Sequence, residues 1–318
     1  MTTGGVGQVS AAVANIEAAA REASIRPRPL LSARLLGRFS VTLDGRAVDT
    51  TSSRRTRNVI AYLLAHRRVP VPRDVLMDVF WPQADPDAAR NCLHVALSGV
   101  RQALRRACPE PVLQRVHDTY LLTDTISAWV DVEEFERHCR AGRAAEQSGA
   151  LDEAMRSYEA AAQVYDGDFL ADDPYADWAA PTRDALRLTA VETQSRLVEL
   201  YIRHAAFGPA IQLGRWIVDT DPCNETAHRQ LMSCYAAVGQ LHLALSQYRR
   251  CADALWQAFG MRPSAETSRL YEALRDPAYH EVLWPNSTSF ASRQAQVACS
   301  SSASRAVVDD WSSIAMAR

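Results

Sequence analysis

The chain has 318 residues, 47% of them hydrophobic and 23% charged, with a net charge of −2. That is ample material for about two globular domains of ordinary soluble composition. No run approaches the ~18 consecutive apolar residues of a membrane span. The first residues lack the basic start and apolar block of a secretory signal, and the seven cysteines form no CxxC pair, so the expectation is a cytoplasmic protein with reduced thiols.

All 35 basic residues are Arg, and the chain has no Lys. A GC-rich genome explains that usage, so the placement of charge is more informative than its type. Arg34 to Thr123 holds 14 Arg against 8 Asp and Glu, a net +6. Asp124 to Asp276 holds 15 against 24, a net −9. A basic module followed by an acidic one suits a nucleic-acid-binding front and a back that faces another partner.

Residues 1–32 are rich in Ala, Ser, Gly and Thr and read as a flexible N-terminal arm, with a short helix over Ala11–Glu22 at most. Phe39, Val41 and Leu43 then alternate with Ser40 and Thr42, and Asp44-Gly45 marks a hairpin turn before Arg46-Ala47-Val48. Thr51–His66 predicts a helix capped by Ser52 or Ser53, with Val59, Ile60, Leu63 and Leu64 inward. Arg54, Arg55 and Arg57 crowd its first turn, where cations oppose the helix dipole unless an anion compensates. Either a DNA phosphate or nearby carboxylates would serve. Pro72–Trp81 predicts a second short helix that buries Val75, Leu76, Val79 and Phe80.

Asp85–Arg106 predicts a long helix, with Asp85 as cap and Pro86 at the first position. Leu93, Leu97, Val100 and Leu104 form one apolar stripe. Arg90, His94, Ser98, Arg101 and Arg105 form a second stripe, with Asn91 at its edge and Gln102 and Arg106 on a different arc. Alone this is an ordinary basic surface helix. Its neighbours reverse that reading. After it, Val112–Thr123 predicts a hairpin with Arg115 and His117 near the tip. Strands, helix, helix, long helix and hairpin make the layout of a winged helix-turn-helix.

Beyond residue 124 the chain reads as helical, over Val132–Arg143, Leu151–Tyr165, Ala185–His204, Phe207–Asp219, Glu225–Val238 and Leu241–Gly260. The pairs Leu197/Leu231, Tyr201/Tyr235 and Ala210/Ala244 are each offset by 34 residues, the period of tetratricopeptide helical hairpins. An earlier unit falls around Ala154 and Tyr158. Asp276–Arg318 is Ser- and Ala-rich and reads as a mostly disordered tail.

The stretch PRDVLMDVFWPQADPDAARNCLHVALSGVRQALRR, with a hairpin ending TYLLT, resembles the OmpR-type DNA-binding domain at the front of SARP-family transcriptional activators. The order DVEEFE, GDFL, PYADW and DPCNE is similar to the bacterial transcriptional activation domain that follows it in that family. Two positions depart from the family pattern. Gly99 stands where an Arg is usual, and Thr119 where a Gly precedes the hairpin Tyr. The expected fold is mainly α: a winged helix-turn-helix with a small antiparallel sheet and wing, then an all-α tetratricopeptide-like domain. The expected divisions are an arm at 1–32, the winged helix at 33–124, the activation domain at 125–276 and the tail at 277–318.

The resemblance implies a sequence-specific activator that binds promoter direct repeats and recruits RNA polymerase, with a secondary-metabolite (antibiotic) gene cluster as target. Arg90, Asn91, His94, Ser98 and Arg101 are the candidate base readers. Arg54, Arg57, Arg105, Arg115 and His117 are the candidate phosphate and wing contacts. Trp81, Pro82, Gln83, Ala84 and Asp85 form the loop that the resemblance assigns to polymerase or sigma contact. The partners implied are double-stranded promoter DNA and RNA polymerase holoenzyme, through its sigma factor and alpha or beta subunits. Binding as a homodimer or in tandem stays open, and no membrane is involved. A pure helical-repeat interaction scaffold, or an effector-responsive regulator without direct activation, is the alternative.

Enzyme signals are poor: no GxSxG, HExxH or GxGxxG stands in a useful setting, and no GxxxxGK[ST] occurs. No cofactor is expected. The single histidines lack partners at metal-ligand spacing. Asp166, Asp168, Asp172 and Asp173 lack EF-hand spacing and read as a solvated acidic loop. Phe169, Tyr175 and Trp178 beside them read as packing against the repeat core.

Overall fold

The computed structural model describes residues 28–50 and 53–276. The arm helix at Ala11–Glu22, the Ser52 cap and the 277–318 tail lie outside those residues. The described chain divides into two compact units, one of 28–140 with 160–188 and one of 141–159 with 189–276.

The first unit opens with β1 (Leu30–Arg34), β2 (Ser40–Leu43) and β3 (Arg46–Ala47). Strand β1 therefore begins within the stretch expected to be arm, and its alternation is short: Leu31 and Ala33 are buried between exposed Leu30 and Arg34. It pairs antiparallel with β2, Leu31 opposite Leu43 and Ala33 opposite Val41. Asp44 and Gly45 both carry positive φ, 49° and 77°, the turn that matches strand twist in a two-residue hairpin. A fourth strand, β7 (Ser127–Val130), joins β1 in parallel.

Helix α1 (Arg54–Ala65) is capped by Ser53, whose side chain accepts from the Thr56 N–H. Strand β4 (Val71–Pro72), α2 (Arg73–Phe80) and α3 (Pro86–Ala107) follow, then the hairpin of β5 (Leu113–Val116) and β6 (Thr119–Leu122). The second sheet runs β4-β6-β5. Val59, Ile60, Leu63 and Leu64 of α1, Leu76 and Phe80 of α2, and Leu93, Leu97, Val100 and Leu104 of α3 are all buried. Each helix thus turns one apolar stripe to a shared core. The inward face of α2 is narrower than its sequence suggests. Val75 is exposed and Val79 half-buried, because eight residues give barely two turns in which to bury a stripe.

Two later segments complete this unit. Asp131, at the start of α4 (Asp131–Gln147), is buried and accepts N–H groups from Leu35 and Leu36, at 2.7 and 2.8 Å, and from Val132 at 2.8 Å. Those donors lie just past the end of β1 and would otherwise be orphaned. Burial nevertheless holds the Asp131 carboxyl up at about 6. The second segment is 160–188. Phe169 bridges Leu36, Gly37 N–H donates to the Asp168 carbonyl at 2.9 Å, and Leu170 N–H donates to the Leu35 carbonyl at 2.7 Å.

The acidic loop expected to be solvated is built in at Asp168 and Asp173, while Asp166 and Asp172 are exposed. Asp173 is 5% exposed, and Asp168 accepts from Arg187 Nε at 3.0 Å. Phe169 and Trp178 do not serve the repeat core. Trp178 packs edge-on against Tyr62, Phe80 and Phe169 at 5.2, 6.0 and 5.9 Å and donates its indole N–H to Asn58. Tyr175 is exposed.

The second unit is helical throughout. It takes the end of α4, the start of α5 (Leu151–Val164) and the end of α6 (Ala180–Arg203), then α7 (Phe207–Thr220), α8 (Glu225–Ala237), α9 (Leu241–Phe259) and α10 (Ala265–Arg275). The 34-residue pairs are its core: Leu197, Leu231, Ala210 and Ala244 are buried. The DPCNE motif has a structural purpose here. Asn224 caps α8 by accepting from Ala227 N–H at 3.0 Å. Glu225 accepts from Ser264 N–H at 2.8 Å and the Thr267 hydroxyl at 2.6 Å, which fixes the start of α10.

Candidate nucleic-acid interface

The long helix α3 is set by its ends and its stripe. Asp85 Oδ1 accepts from the N–H groups of Asp87 and Ala88 at 3.0 and 3.2 Å, satisfying two otherwise open donors of the first turn. Arg105 and Arg106 lie in its last turn, where cations suit the dipole. Its buried residues lie on one side. Asn91, Val95, Ser98 and Gln102, spaced i, i+4, i+7 and i+11, are exposed on the other.

That arrangement sorts the expected base readers. Asn91, His94 and Ser98 are exposed. Arg90 is exposed but paired with Asp87 at 2.7 Å. Arg101 is half-buried, on the flank of the helix towards the core stripe. Gln102, set aside in the sequence because it falls off the basic stripe, stands mid-way along the outward face. Val95 is 74% exposed on that face. The sequence signal for it is spacing: Val95 falls outside the Leu93, Leu97, Val100 and Leu104 stripe.

Gly99 has a packing reason. A Cβ there would lie 3.0 Å from Thr56 Oγ1 and 3.2 Å from its Cγ2. Thr56 is buried on α1, so the absent side chain lets α1 and α3 approach closely. The missing cation of the family pattern is the counterpart of that approach.

The other arginines divide by partner. Arg54 donates to Asp173 at 2.5 Å, and Arg57 pairs with Asp172 at 2.5 Å while lying over the Phe39 ring. Carboxylates of this chain therefore supply the anion that the first turn of α1 required. The Arg54 hydrogen bond holds Asp173 below the usual carboxylate range. Arg115, exposed near the wing tip, bends onto its own turn, donating to the His117 carbonyl and to Asp118, each at 2.8 Å. Arg73 reaches the same carboxylate at 3.1 Å, and the two keep Asp118 low. His117 sits exposed at the tip with φ 55°. Arg105 and Arg106 are exposed and make no ion pair among the described residues.

In the Trp81–Asp85 loop, Trp81 is half-buried, packed edge-on to Phe80 at 5.9 Å and covered by Arg55 at 5.4 Å. Pro82, Gln83 and Ala84 are exposed. Among the described residues, no helix is long and apolar enough to cross a membrane.

Residues 130–275 match the family model of the bacterial transcriptional activator domain. With a winged helix in front of it, that match decides the architecture. The chain carries that domain and is similar to SARP-family regulators. It is 27% identical over 242 residues to the transcriptional regulatory protein EmbR of Mycobacterium tuberculosis, covering 76% of this chain and 62% of EmbR. It thus spans less than two thirds of that relative. It is 26% identical over 250 residues to the regulatory protein DnrI of Streptomyces peucetius, covering 76% of this chain and 90% of DnrI. Among solved structures, M. tuberculosis EmbR in complex with a low-affinity phosphopeptide matches with a TM-score of 0.66 and 25% identity, covering 84% of this chain and 72% of that one. These relatives are transcriptional regulators, and the chain shares with EmbR a mostly helical fold with a small sheet.

Proposed function

We propose that this chain is a SARP-type, DNA-binding transcriptional activator, working in the cytoplasm on the nucleoid and performing no catalytic chemistry. The observation that carries the reading is α3: 22 residues long, held by its own core, with a polar outward face beside a hairpin wing. An α-helix of this kind fits a major groove. Arg105 and Arg106 at its end, and His117 at the wing tip, are placed to meet phosphates. Asn91, His94 and Ser98 are the expected readers that remain outward and unpaired with acids. Binding to promoter direct repeats calls for two copies in tandem or as a homodimer. The exposed Pro82–Ala84 surface, anchored by Trp81, is the proposed contact for RNA polymerase holoenzyme, through sigma or another subunit. Activation is then recruitment, with a secondary-metabolite gene cluster as the target that the family resemblance suggests.

The test is binding of the full chain to duplexes recovered by genome-wide mapping of its occupied sites, followed across salt. Specific affinity should fall steeply and log-linearly as salt rises, since each phosphate contact releases counterions. Absence of binding, or binding indifferent to salt, would overturn the reading.

A further inference from the structure

Ahead of its last turn, where Arg105 and Arg106 are exposed, the mid-line of the outward face of α3 carries no arginine. Asn91, Val95, Ser98 and Gln102 occupy it in order, over about 16 Å of helix rise, close to the length of five base-pair steps. The nearest arginines stand off that mid-line: Arg90 lies on the flank, paired with Asp87 at 2.7 Å, and Arg101 is half-buried. Asp87, an acid on that side, is occupied by the same pair. What remains along that stretch is two carboxamides, one hydroxyl and one isopropyl group, with the exposed His94 imidazole beside them.

In the major groove these groups have defined counterparts. A carboxamide donates from its NH₂ to adenine N7 and accepts from adenine N6–H₂ with its oxygen. An apolar side chain meets the C5-methyl of thymine, a hydroxyl serves either pair, and the bidentate partner of guanine, an exposed Arg without an acid among the described residues, stands not in this stretch but in the last turn of the helix, at Arg105 and Arg106. Val95 at 74% exposure also leaves apolar surface in water that a methyl group would cover.

We infer that the outward stripe of α3 reads A·T base pairs, with Asn91 and Gln102 on adenines and Val95 against a thymine methyl. The inference rests on the DNA-binding reading above and names the base pairs that reading leaves open. It also moves base reading away from Arg90 and Arg101, leaving their side of the helix to the backbone.

The experiment is selection of bound duplexes from a random library by the full chain. Anisotropy titrations then follow, on the selected site carrying deoxyuridine for thymine, or 7-deazaadenine for adenine, one position at a time. At least two A·T pairs within a five-base-pair window should be required. Loss of one thymine methyl should weaken wild-type binding several-fold, and Val95→Ala should bind the thymine and uracil duplexes equally. Gln102→Ala should lose about tenfold or more of the discrimination at one adenine and become indifferent to 7-deazaadenine there. Both side chains are exposed, so neither variant threatens the fold. A selected motif of G·C pairs, sensitive to 7-deazaguanine and unchanged by either variant, overturns the inference while DNA binding stands. Failure to select any motif, with no salt-dependent binding, removes the DNA reading and the inference together.

Discussion

Two arginine-bearing helical stretches in the first unit look alike in sequence and end differently. The first turn of α1 carries Arg54, Arg55 and Arg57, and α3 carries Arg90, Arg101, Arg105 and Arg106. Arg54 and Arg57 are taken by Asp173 and Asp172, and Arg55 lies over Trp81. On α3, among the described residues, only Arg90 pairs with an acid, its own helical neighbour. The difference lies in the partners. A cation is available to a ligand only if the chain does not already supply its anion, and Asp173 is 119 residues away from Arg54.

The largest effect on this comparison comes from removing the anion. Asp173→Ala leaves the buried Asn58 amide without its 2.8 Å acceptor, and should cost about 2–3 kcal/mol in urea unfolding of the full chain. An unchanged midpoint would mean that the α1 cations are as free as those on α3.

Acid and base titration sharpen the same contrast. Burial raises Asp131 from 3.8 to about 6, so the unfolded chain ionises there first. Stability from this group should fall as pH rises from about 4 to about 6, then level off, by on the order of 3 kcal/mol. Asp131→Asn should flatten that slope whatever its overall cost. Asp173 and Asp168 are depressed by hydrogen bonds from Arg54 and Arg187. Their contribution is present above the ordinary carboxylate range and is lost as pH falls through their lowered values. A pH series of unfolding midpoints for wild type and Asp131→Asn separates the two windows.

A smaller effect concerns the seam between the helices. Gly99→Ala gains up to about 1 kcal/mol of helix propensity but sets a Cβ against Thr56. It should destabilise the wild type, and should stabilise a Thr56→Ala background by a few tenths of a kcal/mol or more. Additive effects in the double-mutant cycle would deny the contact. The smallest effect is electrostatic. Arg105→Ala should reduce the salt slope of DNA binding by about 0.9, one phosphate's share. Arg57→Ala should leave that slope unchanged.

The elements of the first unit were largely legible. Asp85-Pro86 announces the start of α3, Asp44-Gly45 the hairpin, and the 3.6-residue stripes the three helices, because each is a local preference written within a few residues. The 34-residue offsets announce the second unit in the same way. What stayed hidden depends on distant partners. β1 is five residues long and depends on β2, β7 and the Asp131 carboxylate. Asp172 and Asp173 looked solvated because their arginines precede them by more than a hundred residues. The expected stripe on α3 is exposed at Arg90, His94, Ser98 and Arg105, but its mid-line is shifted, because the buried residues and not the basic ones define which side is out. Val95 and Gln102 are seen only once that side is fixed.

The insertion of 160–188 into the first unit bears on how regulators of this architecture trade parts. A crossover near residue 124, where the chain's charge changes sign, would hand one parent's α1 arginines to the other parent's Asp172 and Asp173. It would also hand one parent's β1 to the other's Asp131. A chimaera cut there inherits mismatched pairs, whereas one that also brings 125–140 and 160–188 from the same parent keeps them. The heritable unit of the winged helix is thus discontinuous, and its borders are hydrogen-bonded carboxylates.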